Sequence, residues 1–151
     1  MLTTIAIVSQ ITLAASAAPP VPFPDLYTPE APAAAGGALE MCGFPVESDP
    51  FSITAAQLVG DSLEVTVGYQ GGCQQHHFSF CWDGNFLESW PVQVFTQIRH
   101  ESNNDPCASS VTDSLTFDLS GLKSRYQMLY QAPSGQVVMR LTGWADMVYV
   151  F

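Results

Sequence analysis

The chain has 151 residues, 47% apolar and 12% charged, with 4 Lys+Arg against 14 Asp+Glu for a formal net charge of -10. A charge fraction about half the roughly 25% of an average protein excludes a solvated disordered chain, a coiled coil and a basic nucleic-acid binder. No Lys or Arg precedes Arg99, and a surface without cations repels phosphate backbones and anionic headgroups, which sets nucleic acid and the membrane surface aside as partners.

Residues 1–18 are apolar and small, densest over Ile5–Val8 and Ile11–Ala15, and they end in Ala15-Ser16-Ala17-Ala18 before Pro19-Pro20. Small residues at this spacing suit a signal peptidase, so the stretch predicts a signal peptide cut near Ala17 or Ala18 and an exported protein, secreted or held in the periplasm or envelope. A basic start is missing and Ser9-Gln10 interrupts the apolar run, so a buried helix or strand is the competing reading. Six Ser, Thr and Gln among these 18 residues argue against a transmembrane segment. A lipid-anchoring Cys would directly follow the signal, and Cys42 is too far along. Residues 19–38 then hold Pro19, Pro20, Pro22, Pro24, Pro29 and Pro32, a semi-rigid tether. The folded domain is expected over 39–151.

Ser62 to Gln70 alternates, with Leu63, Val65, Val67 and Tyr69 on one face, which predicts a half-buried strand. Ser52 to Val59 is its partner across the Gly60-Asp61 turn. The run His76-Phe78-Phe80-Trp82 shares one parity and ends in the Asp83-Gly84-Asn85 turn. Further strands are expected at Val92 to His100, Val111 to Leu119, Val137 to Leu141 and Met147 to Phe151. One helix is expected over Ser120 to Tyr130, capped by Ser120, with Leu122, Tyr126, Leu129 and Tyr130 at helical spacing. Seven short strands and one short helix predict an all-β, antiparallel, immunoglobulin-like sandwich.

Cys42, Cys73, Cys81 and Cys107 are an even set in a chain that reads as exported, so disulfides are expected. Four cysteines allow three pairings. Cys73 and Cys107 each follow the end of a predicted strand. If those strands are neighbours the two loops meet, giving Cys73–Cys107 and leaving Cys42–Cys81. The sharper alternative is a metal-binding protein. Cys73, His76, His100 and Cys107 offer two thiolates and two imidazoles for a tetrahedral zinc, and His76, His77 and His100 alone would suit a softer ion such as copper.

No catalytic signature is present: no Gly-x-Ser-x-Gly elbow, no His-Glu-x-x-His and no Gly-rich phosphate loop. His76 or His77 with Asp83 selects no particular serine for a triad. The loop Glu101 to Asp105 is rich in oxygen ligands but lacks calcium-loop spacing. The chain therefore reads as a non-enzyme. Trp82 belongs to the apolar parity, whereas Trp90, before Pro91, and Trp144, in a predicted hairpin tip, are placed to stack on a carbohydrate or anchor a protein partner.

Gly71-Gly72-Cys73, His76, Phe78, Trp82, Pro91, His100, Asp105, Cys107 and the run Leu115-Thr116-Phe117-Asp118-Leu119-Ser120-Gly121-Leu122-Lys123 form a pattern. It resembles uncharacterised exported bacterial proteins and lipoproteins, with a likeness to the C-terminal β-sandwich of NigD-like proteins, over residues 65 to 125. The resemblance implies a sandwich and a Cys73–Cys107 bridge. Cys42 and Cys81 lie outside it, and it carries no catalytic residues.

Overall fold

Alternation decides the first hairpin: Leu63, Val65 and Val67 are buried, while the residues between them lie nearer the surface. The computed structural model describes residues 36–151. The expected signal peptide and nearly all of the tether lie outside the described residues. Eight strands and one helix follow in the order β1 (Leu39–Met41), β2 (Ser52–Val59), β3 (Ser62–Gly71), β4 (His77–Trp82), β5 (Val92–Glu101), β6 (Ser109–Asp118), α1 (Ser120–Tyr130), β7 (Gln136–Leu141) and β8 (Met147–Val150).

The strands form two sheets, β1-β4-β5-β7-β8 and β2-β3-β6. Their inner faces meet in one core. Phe80 of β4 packs on Phe117 of β6 with ring centroids 5.2 Å apart, and Leu63, Ile98, Leu115, Met139 and Tyr149 are almost fully buried around them.

The all-β expectation holds, but the larger sheet is mixed rather than antiparallel. β1 pairs parallel with β4, and β5 pairs parallel with β7. The second pairing follows from connectivity. β6 leaves for the smaller sheet and α1 lies between it and β7, a connection long enough to bring β7 back beside β5 in the same direction. β1 is the strand the sequence does not announce, since three residues with exposed Glu40 and Met41 carry no alternation.

The helix occupies the expected residues, but its cap differs. Ser120 lies inside the first turn, and its N–H and hydroxyl both donate to the Asp118 carboxylate, at 2.8 and 2.7 Å. Leu119 is the N-cap residue and no side chain caps the helix, while the Asp118 carboxylate just before it is favourable at this helix end. Leu122 and Tyr126 are buried, whereas Met128, Leu129 and Tyr130 are exposed. Phe151 falls just past β8. It exchanges both backbone hydrogen bonds with Gly135, at 2.9 and 3.0 Å, and its ring packs on Tyr126 and Tyr149.

Candidate functional site

β3 and β5 end, and β4 begins, at the same side of the domain, and the parity of their residues brings His76 and His100 together. The register pairs Phe78 with His100, so the His100 ring lies parallel to that of Phe78, centroids 4.4 Å apart and planes 8° from each other. His76, just before β4, stacks on Tyr69 at 4.4 Å, and its Nδ1 is 2.7 Å from Nε2 of His100. Its Nε2 donates to Oδ2 of Asp105 at 3.1 Å. Both side chains of that last pair are covered, at 2% and 1% exposure.

Asp105 anchors this array. Oδ2 accepts the backbone N–H of Gly72, Cys73 and Gln74 at 2.8, 2.9 and 2.9 Å, and Oδ1 accepts that of Cys107 at 2.8 Å. Burial opposes its charge, but these N–H groups and His76 outweigh burial and hold the carboxyl well below the ordinary carboxylate range. Gly72 at φ +114° gives the turn that aims three successive N–H groups at one oxygen. His100 is held toward its neutral form, first by burial and then by the charge of His76.

The Cys73–Cys107 disulfide ties this turn to the Asp105 loop, and Cys42–Cys81 ties the end of β1 to β4. No cysteine is free. Both pairings match the expectation. They also remove the four-ligand metal site: Cys73, Asp105 and Cys107 do offer ligand atoms within 4.8 Å of one another, but each thiolate a metal would take is bonded to sulfur. Of the imidazole nitrogens, the facing pair of His76 and His100 bond each other and His76 Nε2 bonds Asp105, which leaves only the buried Nδ1 of His100 without a partner. His77 is exposed on the other strand parity, so the three-histidine set is not assembled.

Beside the array runs a cleft of about 730 Å³, lined by Asp49, Phe51, Tyr69, His100, Ser102 and Ser110 among others. A strap before β2 forms one wall. Ser48 Oγ accepts the His100 N–H at 2.9 Å, Asp49 N–H donates to the His100 carbonyl at 2.9 Å, and the Asp49 carboxylate accepts both the N–H and hydroxyl of Ser102. The Ser102 hydroxyl is the main group lowering the Asp49 pKa. Asp105 stands in the pattern over residues 65 to 125 without a role attached to it, and no motif announces Asp49. The signal was the Gly71-Gly72 pair, a turn that aims N–H groups at an anion.

A second surface lies at the far end of the helix. Trp82 is core at 4% exposure, Trp144 is 37% exposed, and Trp90 stands 85% exposed. Trp90 borders a groove of about 750 Å³ shared with Phe86, Val92, Tyr126, Leu129 and Tyr130. Phe86 packs edge-on against Tyr126 and Tyr130, so the groove floor is a continuous aromatic cluster. Trp144 sits in the turn after β7 and does not join it.

No protein-family model matches the sequence, and no curated protein matches it. Among solved structures the chain is similar to a NigD-like immunity protein from Bacteroides caccae, with a TM-score of 0.50 and 15% identity over 68% of this chain and 50% of that one. A candidate lipoprotein from Bacteroides fragilis gives 0.46 and 9% over 77% and 69%. A protein of unknown function from Bacteroides vulgatus gives 0.46 and 11% over 79% and 56%. The first likeness is one of fold, and this chain spans about half of that protein's length. It agrees with the resemblance read from residues 65 to 125.

Proposed function

We propose that this chain is an exported, non-enzymatic, immunoglobulin-like binding domain of the cell envelope or exterior, which engages a protein or carbohydrate partner through the aromatic groove at Trp90. The observation that carries the reading is the exposure of Trp90 beside Phe86, Tyr126, Leu129 and Tyr130. A large aromatic left in water over an aromatic floor costs solubility and offers a stacking platform. Two disulfides support an oxidising compartment. Among the described residues Glu88 is the only charged one lining the groove, which fits a neutral sugar face or an apolar anchor better than an anion.

The test is an oligosaccharide array and a surface-display peptide library probed with the wild-type domain and with Trp90→Ala. Ligands whose binding falls at least tenfold in the variant, with Trp fluorescence shifting on binding to the wild type, support the reading. Binding that survives the substitution, or ligands that are chemically turned over, would overturn it.

A further inference from the structure

β8 forms one edge of the larger sheet, and its bonds to β7 fix what it offers outward. Phe151 and Gly135 exchange both backbone hydrogen bonds. In an antiparallel pair such bonded positions alternate with unbonded ones, so Tyr149 and Met147 also face β7, through Val137 and Met139. The N–H and C=O groups of Val148 and Val150 therefore point away from β7, toward an edge that no described strand fills. Their side chains stand outside as well, at 52% and 66% exposure.

The other three sheet edges are guarded, each by a device that discourages strand addition. β2 carries a register shift between Ile53 and Ala55. β6 carries Asp113 and Asp118, and the Gly37 carbonyl and Ala38 cover it at Asp118. β1 is three residues long with Glu40 exposed. β8 has four residues, but no bulge, proline or charge. Neither β7 nor β8 contains an acid, and Arg140, their one charged residue, lies over the Phe95 ring, 5.8 Å from its centroid. In a chain of net charge -10, this is a surface that a second, equally acidic copy can approach at little electrostatic cost.

We propose that β8 pairs antiparallel with β8 of a second copy, about a two-fold axis at Tyr149, and so joins two five-stranded sheets into one of ten strands. Val148 of each copy then lies opposite Val150 of the other. Each of these pairs exchanges two backbone hydrogen bonds, filling the groups that β7 leaves open. Val138 is the neighbour of Val148 in β7, so each row across the junction runs Val138, Val148, Val150 on the outer face. An unrelated strand would gain the same backbone bonds without these matched valine rows. The junction is short, which puts the association at the weak end of specific interfaces, micromolar or weaker. No residue of β7 or β8 lines the Trp90 groove, so the pairing does not depend on what that groove binds.

The experiment is sedimentation velocity of the disulfide-intact chain from low micromolar to about 1 mM, with amide exchange at both ends of that range. The average mass should rise toward that of a dimer, and association should strengthen with salt, because screening weakens the repulsion between two acidic chains. Exchange at Val148 and Val150 should slow about threefold or more in the concentrated sample, while Val65 and Leu115 stay unchanged. Val150→Pro removes an N–H that has no partner in the single chain, and Val148→Lys puts a charge into the valine row. Each should weaken association at least tenfold, whereas Trp90→Ala should leave it unchanged. A chain that stays monomeric at every concentration would overturn the proposal. So would a dimer in which the Val148 and Val150 amides do not slow, a result the wild type gives even if the variants fail to fold. Loss of the dimer in Trp90→Ala would overturn it too, by assigning the contact to the groove.

Discussion

A Cβ on Gly71 would lie 2.5 Å from Nε2 of His76, closer than any real Cβ contact, with the Asp105 carboxylate a further 0.5 Å away at 3.0 Å. Neither neighbour is free to move, since His76 is held between Tyr69, His100 and Asp105, and Asp105 is held by four backbone N–H groups. Gly71→Ala should therefore lower stability by about 1–3 kcal/mol, the usual cost of overpacking, read as a drop in denaturant midpoint at unchanged slope. Gly121→Ala is the control. Its Cβ meets nothing within 4 Å, and alanine in a helical turn should be neutral or raise stability by up to about 1 kcal/mol.

The two disulfides close loops with sequence separations of 39 and 34. In the chain-entropy view each such loop contributes about 4 kcal/mol by restricting the unfolded chain, and a domain of this size has little stability to spare beyond that. Cys73→Ser with Cys107→Ser should lower the unfolding free energy by about 3–4 kcal/mol and loosen the Asp105 turn, seen as faster amide exchange at Gly72 to Gln74. Cys42→Ser with Cys81→Ser should cost a similar amount in stability without that local change. Equal loosening of the turn in both double variants would show that the Cys73–Cys107 bridge has no special hold on Asp105.

How much of this was legible in sequence depends on whether the signal is local. Seven strands and the helix announce themselves because alternation such as Leu63-Val65-Val67 and spacing such as Leu122-Tyr126 are set by neighbours in the chain. β1 was not, since its order comes from pairing Leu39, Glu40 and Met41 with Phe80, Cys81 and Trp82. The parallel β5–β7 pairing is equally non-local. At the site, parity correctly placed His76 and His100 on one face. The use of the thiols was decided by distance between loops, which spacing alone left to a choice of three pairings. Asp105 lay in a polar stretch indistinguishable from a solvated loop, and its role emerges only when the Gly72 to Gln74 turn is seen to face it.

The pH dependence of stability should have two shoulders with opposite signs. Asp61 is lowered from 3.8 by the Lys123 and Tyr149 bonds, Asp118 by the Ser120 N–H, and Asp49 by Ser102. Asp105 is lowered despite its burial. A carboxyl depressed in the fold stabilises it fully above its unfolded value and progressively less as pH falls through the folded one, so stability should decline below about pH 4. Tyr69, Tyr130 and Tyr149 are raised above 10.0, chiefly by burial. Their contribution is complete below pH 10.0 and is lost as pH rises through the higher folded values. Tyr149 donates to Asp61 at 2.7 Å, so Tyr149→Phe should cost about 1–2 kcal/mol near neutrality and flatten the alkaline shoulder. Urea midpoints across the pH range measure both effects, and an alkaline shoulder unchanged in the variant would contradict the assignment.

The three tryptophans make the binding surface measurable before any partner is known. Trp82 lies in the core at 4% exposure and packs edge-on against Phe86, which itself floors the Trp90 groove, so the buried and exposed indoles are joined by one ring. Trp90→Phe should remove the largest share of emission accessible to a soluble quencher, Trp144→Phe a smaller share, and Trp82→Phe almost none. Stability should separate them in the reverse order. Trp90→Phe should change the unfolding free energy by less than about 0.5 kcal/mol, as at other exposed positions, whereas Trp82→Ala should cost about 3–5 kcal/mol through the cavity it leaves. If Trp90→Phe instead destabilised the domain by several kcal/mol, the indole would be serving the fold rather than standing free. A ligand that protects Trp90 from quenching while leaving Trp144 accessible would place its binding at the groove, because Trp144 lies in the turn after β7 and borders neither Phe86 nor the helix end.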